Sequence, residues 1–255
     1  MQTATTNLST DVIPRLLPTP ATTTPRPPFL CANSLSAQFD LHSTQSPERA
    51  HIERYIAEQF RASYDASIRE FMPQLLSLHC RGQLSAVVGI RSAEHQSLFL
   101  EQYFPRPIEQ VLRDATGQAV CGSRIAEIGN LAGTHRGSSQ LLFITLIAIL
   151  HKSGFEWITF TATPFVERSL RRMGIELYTL GKATVNLLDK AGPDEWGSYY
   201  DCQPNVLAGK ASAGVIALNN SRPLAQLLSQ HHERITTLAS ALANNLSNDQ
   251  RSLTA

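Results

Sequence analysis

The sequence has almost no charge surplus: 22 Lys and Arg stand against 21 Asp and Glu, a formal net charge of +1, and only 17% of residues are charged. Binding nucleic acid at scale needs a Lys/Arg excess, so nucleic acid is not expected as a partner. Cysteine is scarce and unpaired in spacing. Cys31, Cys80, Cys121 and Cys202 form no Cys-x-x-Cys motif, which argues against a zinc cage or a small disulfide scaffold and for reduced thiols in the cytoplasm. Long apolar runs are missing too. The longest, Leu141 to Leu150, is broken by Thr145 and followed by His151-Lys152. It is about half the ~20 residues that cross a bilayer, so a buried helix is expected and no integral membrane segment. The N-terminus lacks the basic start and apolar stretch of a secretory signal. What is present is 42% hydrophobic residues in a chain of 255, enough for a substantial core.

Residues 1–28 hold six of the 14 prolines and a threonine run, and residues 1–45 are expected to be a flexible tail. Ser46-Pro47 marks a helix start, with Ile52, Tyr55, Ile56 and Phe60 at helical spacing behind it. Strands are predicted at 75–81 and 84–91, forming a hairpin, and at 97–101, with a short helix at 107–112. A strand at 124–131, helix at 138–152, strand at 156–161, helix at 164–173 and strand at 175–180 complete the series. Together they predict an α/β fold with a mixed sheet flanked by helices over residues 46–215. From Pro223 on, Leu224, Leu228, His231, Ile235, Leu238 and Leu242 follow a 4-3-4-3-4 spacing. That is a heptad seam in a C-terminal amphipathic helix spanning residues 216–255, open either to packing on the domain or to a homodimer. The adjacent His231-His232 pair has no partners for a metal site, and no metal is expected.

The sharpest local feature runs from Glu127 to Gln140: a strand, a loop rich in glycine and serine, and the start of the most apolar helix. Helix N-termini bind anions through free N–H groups and the helix dipole. An ordinary strand-to-helix turn would use the same residues. The loop lacks the Gly-Lys-Ser/Thr ending of a Walker loop and the glycine spacing of a Rossmann fingerprint.

His135-Arg136-Gly137-Ser138-Ser139 resembles a degraded Gln/Arg-x-x-Gly-x-Gly/Ala loop of the GNAT acyltransferase superfamily. Phe155-Glu156-Trp157-Ile158 is similar to that superfamily's fifth strand, and Arg172-Met173-Gly174-Ile175 to the corner that ends its next helix. A closer resemblance runs from about His51 to Gly209. Phe71-Met72-Pro73, Gly89 to Ala93, Leu98 to Tyr103, Glu127-Ile-Gly-Asn-Leu-Ala132 and Trp196-Gly-Ser-Tyr-Tyr-Asp201 look like landmarks of the thermostable hemolysin family, itself usually placed with GNAT-like folds. The family name records lysis, whereas the fold implies acyl transfer. With no signal, spanning segment or amphipathic hairpin, the sequence favours acyl transfer over a membrane-active lytic protein; an inactive GNAT-fold binding module is the third reading.

The resemblance implies a phosphopantetheine thioester donor, either acyl-CoA or an acyl carrier protein, and an amine or amino-acid acceptor, joined as an amide. The donor's pyrophosphate would sit on Arg136, Gly137, Ser138 and Ser139. Its thioester carbonyl would meet a backbone N–H near Asn130 or Leu131. Glu127 corresponds to the glutamate of the Glu-x-x-Arg strand in acyl-homoserine-lactone synthases, with Asn130 in place of the arginine. Glu127 is the first candidate base and Glu101 the second. Each could equally be an ion-pair partner. Arg91 and Arg124 either hold a substrate carboxylate or phosphate or pair with these glutamates. Asn130 is a substrate contact or a loop cap. Trp196, Tyr199 and Tyr200 wall an acyl or amine pocket or pack as core. The superfamily's general-acid tyrosine falls on Leu170.

Overall fold

The computed structural model describes residues 36–94, 96–188 and 193–253. Of the stretch read as a tail, residues 1–35 lie outside that description. Its end is a sheet strand: β1 (Ala37–His42) pairs antiparallel with β2 (Gln74–Cys80). Its alternation is too short to stand out beside the proline-rich segment.

Helix α1 (Arg49–Tyr64) follows, three residues after the expected cap. The Ser46 hydroxyl accepts the Ser43 N–H at 2.9 Å and so closes a turn before the helix. The predicted hairpin is β2 and β3 (Gln83–Ser92), joined by Arg81 and Gly82 at φ +54° and +74°. Two consecutive positive φ values match the right-handed twist of the flanking strands. The strand expected at 97–101 is absent. A 3-10 turn, Phe99–Tyr103, stands there, because Glu101 folds back to accept the Leu98 N–H at 2.8 Å and reaches on to the Ile108 N–H at 2.7 Å. That second bond holds the start of α2 (Ile108–Thr116).

Next come β4 (Ile125–Gly133), α3 (Arg136–Lys152), β5 (Trp157–Ala162), α4 (Pro164–Arg172), β6 (Tyr178–Lys182), the short α5 (Pro193–Trp196), β7 (Asn205–Lys210), α6 (Ala211–Asn219), α7 (Arg222–Gln230) and α8 (His232–Leu253). The strands form one sheet in the order β1-β2-β3-β4-β5-β7-β6. Only β4 and β5 run parallel; the other neighbours are antiparallel. This is the expected mixed sheet, with β1 and β7 added.

Apolar α3 lies in the main core. Leu142, Ile144, Leu146 and Leu150 are fully buried between the sheet and the C-terminal helices, at roughly 1.5–3 kcal/mol for each side chain. A helix apolar on all sides needs such cover. Helices α1 and α2 cover the opposite face in two smaller clusters.

The heptad seam is spent inside the protein. Leu224, Ile235, Leu238 and Leu242 are buried in the α3 core, and α8 packs against α3 and β1. Of the two readings of the seam, packing on the domain is made by these residues, and the expected boundary at residue 216 falls within α6. The helical seam also breaks between α7 and α8, at His231.

Candidate active site

The site begins where two parallel strands part. β4 pairs with β5 from Ile125↔Trp157 to Ile128↔Phe160 and no further. On its other side, the pairing passes from Gly89↔Gly129 to Val87↔Ala132. Two residues of β4, Asn130 and Leu131, thus face Val88 alone. This is a β-bulge, which bends the strand and disrupts its ladder. Asn130 takes the left-handed conformation there, at φ +49°, a region asparagine tolerates better than most residues.

At this parting lies a cavity of about 600 Å³, walled by Arg91, Glu127, Asn130, Leu131 and the aromatic side chains of several segments. Two chain segments roof it. One is residues 65–73, where the Met72 N–H donates to Asn130 Oδ1 at 2.9 Å and the Asn130 amide reaches the Glu70 carbonyl at 3.4 Å. The other carries Trp196, Tyr199 and Tyr200. Gly197 sits between them at φ +50°, and a Cβ there would come within 2.0 Å of the Tyr64 carbonyl oxygen. Only glycine permits that approach. The rings interlock, with centroids 5.2 Å apart for Tyr64 and Tyr199 and 5.5 Å for Phe99 and Trp196.

Glu127 is 3% exposed. Its two carboxylate oxygens accept the N–H groups of Phe99 and Leu100 at 2.8 and 2.9 Å, at the start of the 3-10 turn. Burial pushes its pKa up to about 7, while the Arg91 charge and the two amides hold it from rising further. A carboxylate poised near neutrality in a cavity wall can take and return a proton. Nearby, the hydroxyls of Tyr103 and Tyr200 meet at 2.6 Å. Burial pushes both phenols up, Tyr200 to about 12, so both are protonated hydrogen-bonding groups at neutral pH.

The other expected residues divide. Arg91, Leu131, Trp196, Tyr199 and Tyr200 line the cavity. Glu101 does not; its carboxylate caps two backbone amides instead. Arg124 stands at the far end of β4, paired with exposed Glu156 at 2.7 Å, and not with Glu101 or Glu127. The Asn130 side chain, which also lines the cavity, bonds the roof through both its amide oxygen and its amide nitrogen. Residues 136–139 form the first turn of α3, and Gly137, Ser138 and Ser139 are not among the residues that line the cavity. The Ser138 and Ser139 amides already donate to the His135 carbonyl at 3.1 and 3.2 Å, and the Ser138 side chain is buried. Gly137 faces open space, with no atom within 4 Å of where a Cβ would be.

Tyr103, Phe60, Tyr64 and Phe143 also line the cavity and were not anticipated. Tyr103 lay within a landmark block, but a strand reading of 97–101 gave no reason to aim its hydroxyl at Tyr200. Leu170, at the place of the superfamily's tyrosine, is core at 3% exposure.

The family model described as thermostable hemolysin matches residues 42–215, from the end of β1 into α6. The chain belongs to the thermostable hemolysin family. Among curated proteins, no sequence matches this family member. Among solved structures, the AHL synthase LasI is similar at a TM-score of 0.51 and 15% identity, over 72% of this chain and 95% of that one. FeeM, an N-acyl amino acid synthase from uncultured soil microbes, is similar at 0.50 and 13%, over 70% and 93%. At these identities the likeness is one of fold. This thermostable hemolysin family member has the GNAT-like architecture, and no helix among its described residues is long and apolar enough to cross a membrane.

Proposed function

We propose that this protein is an acyltransferase that moves an acyl group from a phosphopantetheine thioester to an amine. The observation that carries the reading is a coincidence in space. β4 and β5 part after Ile128 and Phe160, and the cavity at that parting has a buried carboxylate of pKa about 7 in its wall. The same architecture in an AHL synthase and an N-acyl amino acid synthase supports it.

In this reading the donor's pantetheine arm enters along the β4 edge that β5 leaves free. Main-chain amides of the Asn130-Leu131 bulge polarise the thioester carbonyl. Glu127 takes a proton from the amine as its nitrogen bonds to the acyl carbon. The carbon–sulfur bond then breaks, and its electron pair leaves on sulfur. A thiol pKa of about 8.5 makes thiolate a tolerable leaving group near neutral pH, which fits a chain with Leu170 where an acid would stand. The proton held by Glu127 returns to the thiolate, leaving an amide and a free thiol. The Arg136 and Gly137 amides receive a donor phosphate at the positive end of α3. The donor is either acyl-CoA or an acyl carrier protein.

Thiol release from a panel of acyl-CoA and acyl-carrier-protein thioesters, with and without amines, tests the reading. It expects amine-dependent release that falls at least a hundredfold in Glu127→Gln, in line with the loss of a general base. Liposome leakage caused by the protein with no donor present, and no thiol release with any donor, would make it a membrane-active protein instead.

A further inference from the structure

Arg91 and Glu127 are register partners on the antiparallel strands β3 and β4. Their side chains therefore leave the sheet on one face, from Cβ atoms about 4.5–5.5 Å apart. Both line the cavity. An arginine kept only to hold Glu127 ionised would close on it as an ion pair, commonly bidentate. That contact is not made. Glu127 spends both oxygens on the Phe99 and Leu100 amides, and Arg91 forms no salt bridge among the described residues. The buried Arg91 Nε has no hydrogen-bond partner there either. A guanidinium partly withdrawn from water without a counter-ion is costly, and an anion bound at its open end would offset that cost. Arg124, the other arginine the sequence offered, is already paired with Glu156.

From this pairing we infer that the acyl acceptor is an α-amino acid with a free carboxylate, held by Arg91, which sets its amine beside Glu127. The inference rests on the acyl-transfer reading for the role of the amine, but the carboxylate subsite stands independently as a binding site. An α-amino acid carries its amine and its carboxylate on one carbon, so one small zwitterion presents both groups to these two neighbouring side chains at once. Its side chain faces Phe99, Trp196 and Tyr199, which suits an apolar or aromatic residue.

The test compares L-leucine and L-phenylalanine with their C-terminal amides, which keep the amine and side chain but lack the anion. Binding to the full-length protein is read by calorimetry and by the fluorescence of Trp196, with Trp196→Phe separating its signal from that of Trp157. Thiol release is read in parallel. The wild-type protein is expected to prefer acid over amide at least tenfold in binding. That preference should fall to near parity in Arg91→Met and be partly kept in Arg91→Lys. Thermal unfolding identifies a variant that has not folded, and Arg91→Lys then carries the comparison. Equal binding of acid and amide by the wild-type protein, or an undiminished preference in Arg91→Met, overturns the inference. Acid-selective binding without thiol release from any donor supports the carboxylate subsite while contradicting acyl transfer. Thiol release that is equally fast with amides supports transfer and removes the carboxylate requirement.

Discussion

Asn130 fastens the roof of the cavity to its floor: its side-chain oxygen accepts the Met72 N–H at 2.9 Å from the bulge that ends the β4–β5 pairing. Asn130→Ala removes that bond and forces alanine to φ +49°. A lost hydrogen bond of this kind costs about 1–3 kcal/mol, and the left-handed conformation about 1–2 kcal/mol more. Asn130→Gly escapes the second cost. Urea denaturation should therefore rank wild type above Asn130→Gly, and Asn130→Gly above Asn130→Ala, with proteolysis near residues 65–73 faster in both variants.

Glu127 makes stability depend on pH in a defined direction. Burial raises its pKa from 4.5 to about 7, so the folded protein keeps this proton where the unfolded chain releases it. Its contribution is fully present below about pH 4.5 and is lost as pH rises to about 7, roughly 3 kcal/mol in all. Chemical denaturation across that window should show a steeper decline for wild type than for Glu127→Gln. Thiol release should rise with pH around the same midpoint, and this rise should be missing from the residual activity of Glu127→Gln.

Gly197 lets the Trp196–Tyr200 segment dock on the end of α1. A Cβ would lie 2.0 Å from the Tyr64 carbonyl oxygen, at a backbone φ of +50°. Gly197→Ala should cost more than about 2 kcal/mol through steric displacement and strain. It should also shift the Trp196 fluorescence, since the ring must leave its contacts with Phe99 and Tyr199.

Arg124 tests where the site ends. Its ion pair with Glu156 is about half exposed on both sides, and exposed pairs contribute about 0–1 kcal/mol. Arg124→Ala should leave thiol release within about twofold of wild type and change stability by less than about 1 kcal/mol.

Leu242 tests the C-terminal seam. It is fully buried in the α3 core, and truncating such a leucine to alanine costs about 2–5 kcal/mol. The urea midpoint of Leu242→Ala should drop by that amount and be independent of protein concentration, as expected of a contact made within one chain.

Much of this architecture was legible because periodicity and turn chemistry agree. The Arg81-Gly82 hairpin, the apolar run of α3 and the strand-loop-helix unit at Glu127 each carry local signals that tertiary packing reinforces. What sequence leaves open or misreads has a physical cause. Residues 97–101 read as a strand from their apolar pattern, but the Glu101 carboxylate outcompetes a ladder by capping two amides. The 4-3-4-3-4 seam identifies an apolar stripe, yet a stripe cannot say whether its cover is a second chain or α3. Glu127, Arg91, Trp196, Tyr199 and Tyr200 were picked out from sequence and meet at one cavity. Their separation from Arg124 and Glu101 depended on which side chains already had partners, which spacing does not encode.

The most direct measurement is mass spectrometry of the reaction mixture, counting N-acyl product against free thiol for wild type and Glu127→Gln with a thioester donor and an amino acid. The account predicts one amide formed per thiol released by wild type, and at least a hundredfold less of both in the variant. Thiol release with no amide, or equal amide formation by wild type and Glu127→Gln, would contradict it.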